Sequence, residues 1–283
     1  MAFLILAILL FSFNNVLWKS FLSKTSVLFL ATYRSFVTST IALCLLFIFY
    51  NVFPLDYSSI LRISLGSLFG AIGLYSMLTI IQKKSLQWVA VYNLIGVCFT
   101  AFYLWLFENI NISAAITGLS IIILGFVFYS YSNSASKIAI SIPQHFILLL
   151  MTCSFNLSGI LHWKNLAKEI PPILIIANQE LIVFSIGFLL LLKRKEIKRV
   201  QANIGPYFKK IVLMSLIVFI ALFFSFMGLK DTNPLISSVL FLASPLTTIV
   251  FSALFFKERI TLINWIAILV IAVGALVVHW QTL

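Results

Sequence analysis

The chain has 283 residues, 62% of them hydrophobic and only 9% charged, which leaves too little polar surface to cover a water-soluble globule of this size. Its formal charge of +12 sits mostly in short segments between apolar runs, a pattern that the positive-inside rule gives a membrane protein and that makes nucleic acid a poor candidate partner. A soluble domain and an ordinary enzyme are excluded on these grounds, and the solvent of the fold is lipid.

A hydrocarbon core about 30 Å thick takes about 20 apolar residues per helical crossing. Apolar runs bounded by charges or turn formers predict ten helices, over 2–18, 26–49, 60–81, 87–107 and 113–131, then 143–162, 171–192, 209–229, 234–256 and 262–281. Helix one is read as a span and not as a signal peptide, because it lacks a basic start and carries Asn14 and Asn15 where a cleavage site needs small residues. Trp18, Trp88, Trp163 and Trp280 stand beside breaks and read as interfacial anchors. Of the seven prolines only Pro245 falls inside a span, where its ring frees a backbone carbonyl. Gly66, Gly70 and Gly73 give helix three a face that permits close helix approach.

Polar residues inside the spans are the candidates for function. Arg34 lies roughly 12 Å into helix two and Glu180 roughly 14 Å into helix seven, at 1.5 Å per residue. These helices start on opposite sides, so the two depths differ by only about 4 Å across the core. A direct pair, or one solute held between them, fits this geometry. As a functional site, Arg34 would grip a carboxylate or phosphate with its planar fork and Glu180 would take an amine or a proton. The competing readings are Arg34 snorkelling to the interface and a purely structural ion pair.

Around them, Ser12, Asn14 and Asn15 on helix one, Ser154, Asn156 and Ser158 on helix six, and Asn178 and Gln179 on helix seven cannot comfortably face lipid. Tyr92 and Asn93 on helix four and Ser244, Thr247 and Thr248 on helix nine form a further matched pair of polar patches. Tyr75 and the run Phe219, Phe223, Phe224 and Phe226 could wall an aromatic site or simply pack. Cys44, Cys98 and Cys153 lack metal-ligand spacing and read as small buried side chains; His145, His162 and His279 are isolated. With no phosphate-cradling loop, HExxH or nucleophile elbow, the reading has no catalytic residue, no cofactor and no metal.

The two halves resemble each other. Ser12-Phe13-Asn14 precedes Trp18-Lys19 as Ser154-Phe155-Asn156 precedes Trp163-Lys164, and Leu104–Ile110 ending in Glu108-Asn-Ile matches Leu254–Ile260 ending in Glu258-Arg-Ile. Five helices per half is an odd number, so the second copy crosses in the opposite sense. The fold class expected is therefore an all-α membrane protein of ten transmembrane helices, two inverted five-helix repeats (1–137 and 138–283) around a central cavity.

Two five-helix units, an Arg in helix two and a Leu/Phe-x-Glu ending before the last helix of each unit resemble the EamA branch of the drug/metabolite transporter superfamily over essentially the whole chain. The Glu of that motif usually follows Gly, which here is Phe107 and Lys257. The resemblance implies export or exchange of small metabolites such as amino acids through the cavity without ATP, at the cell inner (plasma) membrane. Relatives of that family also carry nucleotide-sugars and sugar-phosphates. Such a carrier would want more than one cation in the cavity, and Arg34 is the one available, so an amino-acid-like solute is preferred. A membrane-embedded transferase would need an acid–base constellation that the sequence does not display.

The expected partners are a small-molecule substrate, the lipid bilayer and a proton as candidate coupling ion, with a monomer as the expected state. Excluding Arg34, 14 basic residues fall on the side opposite the termini and 4 on their own side. That bias places both termini in the periplasm and the 193–210 loop in the cytoplasm, against the family expectation of cytoplasmic termini.

Overall fold

The computed structural model describes residues 1–22, 26–50, 56–82, 86–109, 116–133, 141–195, 197–256 and 262–281. Among them the regular structure is entirely α-helical: α1 (Ala2–Leu22), α2 (Val27–Phe49), α3 (Tyr57–Gln82), α4 (Leu86–Phe107), α5 (Ile116–Asn133), α6 (Ile142–Leu166), α7 (Pro172–Lys193), α8 (Ile197–Lys230), α9 (Pro234–Phe241), α10 (Ser244–Phe256) and α11 (Leu262–Gln281). Among the described residues six segments are long and apolar enough to cross a membrane: α2, the Tyr57–Ile80 part of α3, α6, α7, the Gly205–Lys230 part of α8, and Pro234–Phe255, which joins α9 to α10. Shorter apolar helices lie at Ala2–Trp18, Tyr92–Phe107, Ile116–Phe128 and Trp265–Gly274.

Local chemistry sets several helix ends. The Ser26 hydroxyl accepts from the Phe29 N–H and starts α2, and Asn233 accepts from the Ile236 N–H ahead of Pro234 to start α9. At α6, Ser141 and Gln144 close a capping box with Pro143 in the first turn.

Two expected helix boundaries are corrected. The segment expected as the longest loop, 193–210, is helical from Ile197 onward. Ile197, Val200, Ile204, Tyr207 and Ile211 recur every three or four residues between basic and amide side chains, which is an amphipathic helical pattern. At 1.5 Å per residue the 34 residues of α8 run about 51 Å, well beyond a core of about 30 Å.

The second correction is to helix nine, expected to be continuous over 234–256. It is interrupted at Leu242 and Ala243. Pro245 has no N–H to give the carbonyl four residues before it, which belongs to Phe241, the last residue of α9. The chain answers with two tighter i→i+3 bonds, Leu242 N–H to Val239 at 3.0 Å and Ala243 N–H to Leu240 at 2.9 Å.

The helices pack in a reciprocal pattern. α3 lies on α6, and α1 on α8; α4 lies on α6, and α1 on α9 and α10; α3 touches α7, and α2 touches α8; α2 packs on α7 and α5 on α11. α5 and α11 approach closely because Gly125 sits against Ile271 and Gly274 against Ile122. Cys44 and Cys98 are exposed and Cys153 is half-buried, so the expectation of buried thiols is corrected. In a chain solvated by lipid, an apolar run does not imply an inward-facing residue.

Ion pairs join elements at one end of the bundle. Lys164 near the end of α6 pairs with Glu108 just past α4, Lys168 approaches Asp56 ahead of α3 at 3.6 Å, and Lys230 at the end of α8 pairs with Glu169. Hydrogen bonds from Ser58 and Ser59 hold the Asp56 carboxyl well below the usual carboxylate range. The family-motif residue Glu258 and the expected repeat boundary at 137 lie outside the described residues.

Candidate functional site

A cavity of about 350 Å³ lies within the bundle, walled by side chains of α1, α2, α3, α4, α6, α7, α8 and α9 and by Ser244 at the start of α10. That volume is at the lower end of the range for small-molecule sites, about 300–1,000 Å³.

Its charged centre is made by α2 and α7. An Arg34 terminal nitrogen donates to Glu180 Oε2 at 2.8 Å and to Ser35 Oγ at 2.7 Å, and Arg34 Nε is buried without a partner. Both charged side chains are almost wholly buried, at 4% and 3% exposure. Two such charges persist in a low-dielectric interior because each neutralises the other. The backbone at Arg34 is held as well: its carbonyl accepts from Thr38 Oγ1 at 2.9 Å and from Ser215 Oγ of α8 at 3.0 Å. α7 can come this close because Gly187 carries no side chain. A Cβ there would stand 2.2 Å from Thr32 Oγ1 and 2.3 Å from the Tyr75 hydroxyl.

Amides and hydroxyls supply the rest of the polar wall. Asn15 donates to Thr248 Oγ1 at 3.4 Å, while Asn14 Oδ1 is buried and unpartnered. On α6, Asn156 Oδ1 accepts from Thr100 at 2.6 Å and its Nδ2 donates to the Thr152 carbonyl at 2.8 Å. Gly96 of α4 faces this pair, with no room for a Cβ. Ser12 bonds Thr247 and donates to the Ser244 carbonyl at 3.1 Å, tying α1 to the break between α9 and α10.

Of the polar residues singled out in the sequence, Asn14, Asn15, Arg34, Asn93, Asn156, Ser158, Gln179, Glu180 and Ser244 border the cavity. Tyr75, Tyr92 and Thr248 do not. The Tyr75 hydroxyl donates to the Val183 carbonyl at 2.9 Å, Tyr92 pairs with His145 Nδ1 at 2.5 Å, and Thr248 Oγ1 donates back to Ser244 at 2.8 Å. Each spends its hydroxyl on a helix contact. Phe226 borders the cavity, whereas Phe224 stacks on Phe3.

Trp18 is corrected from interfacial anchor to cavity wall: it is buried and packs with Phe21, Phe29 and Leu191. His162, which the sequence showed only as an isolated residue, is buried on the wall against Gly66. Nothing in its own neighbourhood signals this, because the glycine that receives it is on another helix. Among the described residues no cluster of acidic, histidine or cysteine side chains could hold a metal ion.

A helical bundle of apolar spans around a buried, charged and amide-lined cavity fits a multi-pass membrane protein. Residues 144–280, just under half of the chain, match the family model of the EamA-like transporter family, which belongs to the drug/metabolite transporter superfamily. A solved crystal structure described only as that of a protein shares the fold at a TM-score of 0.76, with 14% identity over 99% of this chain and 98% of the other. No curated protein matches the sequence.

Proposed function

We propose that this protein is a secondary transporter that exports or exchanges a small, amino-acid-like metabolite by alternating access, without ATP. The observation that carries the reading is the buried Arg34–Glu180 pair on the wall of a cavity of about 350 Å³. A zwitterion carries both charges that this pair can exchange: its carboxylate replaces Glu180 at the guanidinium, and its ammonium replaces Arg34 at the carboxylate. Net charge in the cavity is then unchanged on binding, which limits the desolvation cost. Asn14, Asn15, Asn156 and Gln179 are placed to orient the remaining polar atoms, with Phe155, Phe226 and Phe241 for apolar ones.

Alternating access between two inverted five-helix units, with one chain forming a complete pathway, is supported by the reciprocal packing. Exchanging α1–α5 for α6–α11 turns the α3–α6 contact into α8–α1, and α4–α6 into α9 and α10 on α1. A sugar-phosphate carrier is the weaker reading, because among the described cavity residues Arg34 is the one Lys or Arg side chain.

Reconstitution in liposomes with counterflow of a panel of neutral amino acids and phosphorylated sugars tests the proposal. Exchange of zwitterionic amino acids supports it. Exchange confined to the phosphorylated sugars transfers the assignment to the rival, and counterflow of neither class removes both.

A further inference from the structure

α3 and α6 run antiparallel in a register set by three glycines: Gly66 faces His162, Gly70 faces Ser158 and Gly73 faces Phe155. At the first, a Cβ would stand 2.7 Å from His162 Cε1 and 3.0 Å from Nδ1, so the imidazole fills the space over the glycine. Continued one turn toward the start of α3, the same register brings Arg62 level with the Asn165 turn of α6.

This seam holds an unusual concentration of buried polar atoms without partners. Among the described residues, both amide atoms of Asn165, Ser67 Oγ and Arg62 Nε make no hydrogen bond to protein, and the His162 ring has only the Gln179 amide beside it as a partner. His162, Asn165 and Ser67 are at most 1% exposed. Buried polar groups are otherwise nearly always satisfied, and bound water is the usual partner where protein does not supply one. A single such atom is unremarkable; several on two helices packed together point to bound water.

The ends of the seam are defined. Inward, His162 borders the cavity together with Gln179 and Glu180. Outward, the Arg62 guanidinium donates to Ser58 at 3.2 Å and Ser59 at 3.4 Å, and Ser58 donates to Asp56, which is exposed beside Lys168.

We propose that a file of water runs along the α3–α6 seam from the Asp56–Lys168 end through Asn165 to His162, and carries protons to the Arg34–Glu180 cavity. His162 has the chemistry for this: a neutral imidazole accepts a proton at one nitrogen and releases one from the other. The groups around it are Gly66 of α3 with Arg62 a turn away, Gln179 of α7, the Phe226 ring of α8, and Ser158 and Asn165 of its own helix, with Glu180 of α7 farther along the same cavity wall. Their charged members, Arg62 and Glu180, stand at the two ends of the file. The coupling role rests on the secondary-transport reading; the hydrated file does not.

Two measurements on the full chain in lipid test the proposal. Hydroxyl-radical footprinting reads water at buried side chains without any solute. His162 should be labelled well above the equally buried Phe126 and Leu148, and labelling no greater than theirs overturns the file. Proton entry after an external acid pulse is read with a pH-sensitive dye trapped in proteoliposomes, with and without a mixture of neutral L-amino acids. His162→Gln should slow it by about a hundredfold, the scale of losing a positioned acid–base group. Asn165→Leu fills the file and should slow entry as far, whereas Asn165→Ala leaves room for water and should stay near wild type. A packing role predicts the reverse order, since Ala leaves the larger hole. Wild-type proton entry in both His162→Gln and Asn165→Leu overturns the proposal. If the file behaves as described but no amino acid exchanges, the file stands and the amino-acid reading falls.

Discussion

Arg34 on α2 donates to Glu180 on α7 across 2.8 Å, and neither side chain reaches solvent or lipid. Removing one partner strands the other charge in the bundle, at a cost of about 3–5 kcal/mol, whereas replacing both with apolar residues costs far less. Glu180→Leu should therefore lower the thermal unfolding midpoint in detergent sharply, and Arg34→Met combined with Glu180→Leu should recover most of the loss. Additive effects of the two changes would mean that the pair is not the interaction holding these charges.

Arg34→Lys keeps the charge but loses the planar fork. The expected result is folded protein with weaker counterflow, read as a raised half-saturation concentration for the exchanged amino acid. Unaltered affinity would assign Arg34 to structure alone.

Glu180→Gln keeps the shape of the side chain and removes its ability to titrate. Transport driven by a pH gradient should be lost while solute-for-solute exchange persists at a reduced rate. Gradient-driven accumulation equal to wild type would exclude Glu180 from proton coupling.

Gly187→Ala places a methyl group 2.2 Å from Thr32 Oγ1 and 2.3 Å from the Tyr75 hydroxyl, a clash that forces α7 away from α2 and α3. Overpacking of this kind costs about 1–3 kcal/mol. Tyr75→Phe alone should cost about 1 kcal/mol for its bond to Val183. Combined with Gly187→Ala it should cost less than the sum, because one of the two clashing oxygens is gone while that of Thr32 remains; unfolding midpoints of the four proteins measure the coupling.

Orientation follows from the basic residues beside the α7–α8 connection. With Cys44, Cys98 and Cys153 replaced by Ser, Gln201→Cys should be protected from an impermeant maleimide in intact cells while a C-terminal tag cysteine is labelled. Labelling at position 201 with protection of the tag would reverse the topology.

Hydropathy alone exposed the six long apolar segments and the four shorter apolar helices among the described residues, because in lipid a crossing must be an apolar helix whatever its neighbours are. Arg34 and Glu180 were legible for a similar reason: a charge deep in an apolar run stands out, and depth can be counted from the helix start. The 197–208 extension of α8 was hidden because basic and amide residues outweigh its apolar stripe in any average, although the stripe has helical spacing. Pro245 announced a lost hydrogen bond but not the break it causes, since a kink and an interruption leave the same sequence mark. Trp18 and Trp163 carry one signature at the end of an apolar run, yet Trp18 turns inward to the cavity. His162 is defined by Gly66, 96 positions away in the chain, and no local pattern joins them.

Lys164, Lys168 and Glu169 fall within one short stretch, yet they reach three different places: the end of α4, the approach to α3 and the end of α8. A tilt of α6 at this face disturbs all three attachments together, so the stretch works as a clasp and not as three separate ties. Each exposed pair is worth only about 0–1 kcal/mol, which keeps the clasp within reach of thermal fluctuation. Because mobile ions screen exposed charges within about 10 Å at 0.1 M salt, this face of the bundle loosens as ionic strength rises. The Arg34–Glu180 centre, almost wholly buried, is screened far less and keeps its grip.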